Sequence, residues 1–111
     1  MHGSGRLEIA FDTRALRTVC ENSAEAQQIY GQIVADALRR VLADLRAAPS
    51  MFELMAIFEM SRASGQEIRI PIDSKMLLLR CGNRKPRRMA SGEIDWNAVD
   101  RVKVMGVTND G

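Results

Sequence analysis

Histidine, cysteine and aromatic side chains are scarce in this chain. There is one histidine, His2, and there are two cysteines, Cys20 and Cys81, in 111 residues. No cluster of His and Cys with metal-ligand spacing is possible, so no metal and no cofactor is expected. Without a usable histidine, classical acid–base catalysis must fall to Lys, Arg, Asp or Glu. No glycine-rich dinucleotide or phosphate loop and no G-x-S-x-G elbow occurs. The aromatics amount to 5%. Base-stacking platforms need exposed rings, yet Tyr30 and Trp96 both fit a core pattern. No apolar run approaches the ~18 residues of a membrane span, and the N-terminus lacks the apolar stretch of a signal peptide. A cytoplasmic protein without a membrane partner is the expectation. The isolated cysteines read as reduced core thiols, with a disulfide or a reactive thiol as the alternative.

What is present suits one globular domain. Hydrophobic residues make up 46% and charged residues 27%, with a net charge of only +2. Residues 1–6 read as a disordered tail or an expression scar, and 7–111 as a single domain. Leu7 to Phe11 alternates with period two and predicts a strand. Asp12 is placed to cap a short helix through about Glu21, with Leu16, Val19 and Cys20 on one face. Asn22 and Glu25 resemble a capping box. Tyr30, Ile33, Val34, Ala37, Leu38, Val41 and Leu45 form one continuous helical stripe, within which Gly31 costs up to about 1 kcal/mol relative to Ala. Pro49 stops this helix. Ser50 and Glu53 suggest a further short helix, Met51 to about Ala56. Ile68, Ile70 and Ile72 then alternate with polar residues in a strand, and Asp73-Ser74 turns the chain into an apolar return strand, Lys75 to Cys81. Asp95 caps a turn holding Trp96 and Val99. Val102, Val104 and Val107 mark a last strand. The order predicts an α+β fold, an N-terminal strand and two or three helices packed on an antiparallel sheet.

Charge is unevenly distributed. Lys75, Arg80, Arg84, Lys85, Arg87 and Arg88 follow Asp73 with no acid before Glu93. Such a run attracts phosphate, and arginine adds bidentate recognition. It is equally a solvated basic loop paired with carboxylates such as Asp36 or Asp44.

Several stretches together resemble the RelE/ParE toxin superfamily, in its HigB-like host-killer (plasmid maintenance system killer) branch. They are Ile9-Ala10-Phe11 with Arg14 to Arg17 and Val19-Cys20-Glu21; Tyr30-Gly31 with Leu38, Leu42 and Leu45; Ala47-Ala48 with Ser50 to Leu54; and Gly92 to Trp96 ahead of Val99, Val102 and Val104. The similarity covers about residues 7–110. It implies a RelE-like fold and a toxin of a type II toxin–antitoxin module, partnered by an antitoxin with a helix-turn-helix domain. In the RNase members it also implies metal-independent cleavage of messenger RNA on the ribosome, an mRNA interferase activity. There a base activates the ribose 2′-hydroxyl while cations stabilise the pentacovalent phosphate. The resemblance places Arg62, Lys75 and Arg80 around that phosphate, with Arg84, Lys85, Arg87 and Arg88 as further RNA contacts.

The chain departs from the family at two places. Glu59-Met60-Ser61 stands where the family carries basic residues, and Val107 to Gly111 replaces a tail whose Tyr and His serve the reaction. Asp110 is then the acid or base that remains available. ParE-type members bind DNA gyrase without catalysis, so a non-catalytic toxin, or a degenerate relative kept for binding or regulation, are the alternatives.

Overall fold

The computed structural model describes residues 7–49, 51, 54 and 67–109, and the backbone of 62–64. The architecture is α+β. Its described elements are β1 (Glu8–Phe11), the helices α1 (Arg14–Glu21), α2 (Ser23–Tyr30) and α3 (Gln32–Ala47), then β2 (Arg62–Ser64), β3 (Glu67–Ile72), β4 (Lys75–Cys81), a 3₁₀ turn (Trp96–Ala98) and β5 (Arg101–Asn109).

Local chemistry explains most boundaries. Thr13, and not Asp12, caps α1, its hydroxyl accepting from the Leu16 N–H at 3.0 Å. Asp12 continues the strand instead, donating its N–H to the Val104 carbonyl. Asn22 serves two helices. Its side-chain oxygen accepts from the Ala24 and Glu25 N–H groups, while its own N–H closes α1 on the Thr18 carbonyl. Asp95 caps the 3₁₀ turn by accepting from the Asn97 N–H.

The single helix expected through Gly31 is two helices. Gly31 sits at φ 86°, ending α2 on the Gln27 carbonyl and starting α3 with its own carbonyl. That backbone region favours glycine, so the residue marks a break and not a weak helical position. The break also re-phases the apolar stripe. α3 buries Val34, Ala35, Leu38, Val41, Leu42 and Leu45, whereas Ile33 is left 69% exposed and Ile29 58% exposed. α3 ends at Ala47, just before Pro49. Met51 and Leu54 are helical and buried; the rest of the expected short helix lies outside the described residues.

The sheet runs β1-β5-β4-β3-β2. It is mixed, not antiparallel as expected: β1 pairs parallel with β5, and the other pairs are antiparallel. Antiparallel neighbours can be joined by tight turns, whereas parallel strands need a long crossover. β3 and β4 have such a turn at Asp73-Ser74, with Asp73 at φ 65°, a conformation Asp tolerates better than most residues. Between β1 and β5 lies most of the chain. A bulge interrupts the β4–β5 register, where Leu78 faces Gly106 and Leu79 faces Val104, leaving Met105 unmatched. Gly82 is required by proximity. A Cβ there would sit 2.8 Å from the Arg101 Cγ and 3.2 Å from the Arg101 carbonyl oxygen, which the Gly82 N–H meets at 2.7 Å.

One face of this sheet carries the core. Ile68, Ile70, Ile72, Leu77, Leu79, Val102 and Val104 cluster with Leu38, Leu42 and Leu45 of α3, with Ile94, Trp96 and Val99 completing it. Among the described residues no polar or charged side chain is buried.

Candidate functional site

Strand pairing decides which charged residues share a surface, because residues directly opposite one another point to the same side. On β3 and β4 the pairs Ile68–Leu79, Ile70–Leu77 and Ile72–Lys75 belong to the helix-covered face, and Glu67–Arg80, Arg69–Leu78 and Pro71–Met76 to the open face. Lys75 and Arg80 therefore lie on opposite faces. They also occupy opposite ends of β4, roughly 16 Å apart at ~3.3 Å per residue. The expected convergence of Arg62, Lys75 and Arg80 is not formed. Lys75 sits at the end of the covered face, where its Nζ donates to Asn109 Oδ1 at 2.7 Å. Its local task is to close the β4–β5 pairing.

The open face gathers a different set. Arg80 stands opposite Lys103 of β5, and Arg69 stands opposite the backbone of Arg62 in β2. Arg69 and Arg80 are diagonal neighbours on adjacent strands, a separation of about 7–8 Å. Arg69 and Arg80 are exposed and Lys103 is half-buried. Like charges directly opposite on one sheet face are destabilising, and Arg80 with Lys103 is such a pair. Acids relieve part of the repulsion. Asp12 approaches the Lys103 ammonium at 3.5 Å, and Glu8 pairs with Arg101 at the β1 side. Glu67 lies opposite Arg80.

Chemically, this is a cationic strip over a floor of Met76, Leu78 and Gly106, the half-buried residues of the same face. Arginines spaced in this way can hold a multivalent anion through several oxygens at once. Arg69 and Lys103 were not singled out by sequence reasoning. The signal was available in the alternation of Ile68-Arg69-Ile70 and Val102-Lys103-Val104, which puts both cations opposite the core, but the register that joins them was not.

The basic loop behaves differently. It is a tight hairpin, with Met89 N–H on the Glu93 carbonyl, Gly92 N–H on the Met89 carbonyl and Asp95 N–H on the Arg87 carbonyl. The Arg88 guanidinium donates to the Gly92 carbonyl at 3.0 Å, within the loop itself. Arg84, Lys85 and Arg87 are exposed. Asn83 pins the loop's start, accepting from the Asp100 and Arg101 N–H groups. Asp110 lies outside the described residues, and the description of Arg62 stops at its backbone.

The thiols offer no second site. Both are free. Burial pushes the Cys20 thiol up to about 11, against the pull of Arg46 and with a small push from Glu21, which leaves it a poor nucleophile at neutral pH. The cleft it lines, of about 370 Å³, runs between the α1–α2 corner and α3 beside Arg39 and Arg46. Among the described residues no group of His, Cys, Asp and Glu is placed to hold a metal ion, and no helix is long and apolar enough to cross a membrane. Comparison with protein-family models, curated proteins and solved structures returned no match.

Proposed function

We propose that this chain is the toxin of a type II toxin–antitoxin module, with a RelE-like fold, and that it acts in the cytoplasm as a metal-independent endoribonuclease on ribosome-bound mRNA. The observation that carries the reading is the cationic strip on the open sheet face, where Arg80 stands opposite Lys103 and Arg69 lies diagonally across from Arg80. Such a strip offers several cationic groups to one phosphate and its neighbours along an RNA backbone. The element order and the motif resemblance support the same reading.

In this mechanism Arg69, Arg80 and Lys103 hold the scissile phosphate and stabilise the charge that accumulates as the ribose 2′-oxygen attacks. The attacking hydroxyl loses its proton to a base, for which Asp110 is the candidate; the new P–O2′ bond closes a 2′,3′-cyclic phosphate as the P–O5′ bond breaks, and the 5′-oxygen leaves as a hydroxyl with a proton from water. The exposed Arg84, Lys85 and Arg87 extend the contact along the RNA backbone. A helix-turn-helix antitoxin is the expected neutralising partner.

Induced expression tests the reading, with mRNA ends mapped in the arrested cells. Arrest with new mRNA ends is expected from the wild type. An Arg69→Gln/Arg80→Gln/Lys103→Gln variant should lose both, while Lys75→Gln keeps them. Arrest without cleavage would replace the nuclease by a toxin of the gyrase-binding kind. No arrest from a folded protein would leave only a binding or regulatory relative.

A further inference from the structure

The sheet's β1 edge carries a second feature, independent of the nuclease reading. In the parallel pairing with β5, the Glu8 N–H donates to the Asp100 carbonyl and the Asp12 N–H to the Val104 carbonyl, both at 2.9 Å. The even-numbered residues of β1 thus turn their backbone groups toward β5, and in a ladder the residues between them turn theirs away. β1 is an end strand of the sheet. The N–H and C=O groups of Ile9 and Phe11 therefore face outward, with no strand beside them among the described residues, whereas the outward N–H of Leu7 is taken by the Ala48 carbonyl at 2.7 Å. Alongside runs a groove of about 380 Å³, lined by β1 from Ile9 onward and by Thr13, Arg14 and Arg17 at the start of α1.

The groove is cationic. Its own acid, Asp12, is engaged by Lys103 at 3.5 Å, and the nearby Glu8 is engaged by Arg101. Arg17 lies 5.9 Å from the Phe11 ring and is held by Glu21 at 3.3 Å. Arg14 is exposed and makes no ion pair among the described residues. We propose that this edge binds an extended acidic peptide segment of a partner protein. The segment adds a strand beside β1 by exchanging backbone hydrogen bonds with Ile9 and Phe11, and it sets its carboxylates against Arg14 and Arg17. The alternation of free donors and acceptors selects a peptide over a nucleic acid, whose phosphates only accept. A second copy of this chain is a poor occupant. Its β1 would bring another Arg14 and Arg17, and its Glu8 and Asp12 are already engaged.

The test is a titration of the full chain with a labelled octapeptide of alternating valine and glutamate, read by fluorescence anisotropy and by amide hydrogen exchange. Saturable binding is expected, with the Ile9 and Phe11 amides exchanging freely in the protein alone and protected in the complex. Arg14→Glu should weaken binding about tenfold, the scale of one charge-assisted contact, with its fold checked by circular dichroism. Ile9→Pro serves as a second variant. It removes an outward donor that β5 does not use and should weaken binding while leaving the Arg14 contact in place. The alternating valine–lysine peptide should not bind. Lack of saturable binding overturns the proposal. So does binding that leaves Ile9 and Phe11 unprotected, since the peptide then sits on the basic sheet face. Concentration-dependent protection of those amides without peptide would make a second copy the occupant and overturn it equally.

Discussion

The two faces of the sheet are built from the same strands by opposite rules. On the covered face Ile68, Ile70, Leu77, Leu79, Val102 and Val104 are each no more than 1% exposed, and Ile68 pairs with Leu79, Ile70 with Leu77 and Leu79 with Val104. On the open face, one residue away along each strand, Arg80 faces Lys103 and Arg69 lies diagonally across from Arg80. The first arrangement lowers the free energy of the fold by burying apolar surface, and the second contributes little to it. Charged residues gathered on a face that the core does not use are candidates for function, which makes the open face the candidate site.

The largest expected effect tests the covered face. Leu79→Ala should destabilise the chain by about 2–5 kcal/mol, the usual cost of a cavity in a closed core. Leu78→Ala, its half-buried neighbour on the open face, should cost clearly less. Urea denaturation of both variants checks this. Equal losses would mean that the open face is packed against something, and the asymmetry would collapse.

Next in size is the backbone. Gly31→Ala should destabilise by about 1–2 kcal/mol, because alanine resists positive φ. A continuous helix would predict the reverse sign, stabilisation by up to about 1 kcal/mol. The sign of the change in thermal midpoint separates the two. Gly82→Ala should also destabilise, since its Cβ meets the Arg101 backbone.

Gly31 shows where sequence legibility stops. The strands Glu67–Ile72 and Lys75–Cys81, the caps at Asn22 and Asp95 and the stop at Pro49 follow from local periodicity and hydrogen-bond chemistry, and they were readable. A glycine inside an apolar 3.6-residue stripe reads alike whether it is helical or a break, because the stripe continues on both sides. β2 has only three paired residues, Arg62–Ser64, too few to show alternation. The β1–β5 parallel pairing and the site itself were hidden for a different reason. Both depend on which strands lie side by side and in what register. Lys75 and Arg80 are near in sequence and face opposite ways, while Arg80 and Lys103 are far apart in sequence and face each other.

Smaller changes are expected where the open face is neutralised. Arg69→Gln should leave stability unchanged or raise it by up to about 1 kcal/mol, by thinning the positive charge beside Arg80. The same variant should weaken RNA binding and lower the salt dependence of that binding by about 0.7 in log–log slope per lost contact. A variant that loses stability and keeps its RNA affinity would show that Arg69 serves the fold.

The smallest effect lies in the helical layer. The folded state holds the Cys20 proton up to about pH 11, whereas the ordinary thiol value is 9.0. Burial, with a contribution from Cys20 itself, also raises Tyr30. Between these limits the folded chain binds more protons than the unfolded chain, so stability must fall as pH rises. The stabilisation is intact below pH 9.0 and lost as the thiol ionises near 11. The groups around Cys20 pull in both directions, Arg46 favouring the thiolate and Glu21 opposing it, so burial sets the sign. Cys20→Ala removes the titrating thiol and keeps a small apolar side chain. Its unfolding free energy should fall less between pH 8 and pH 10.5 than that of the wild type, on the order of 1 kcal/mol less given partial solvent access. Parallel pH profiles for the two proteins would mean that the thiol is solvated in the folded state and that α1 does not close over it.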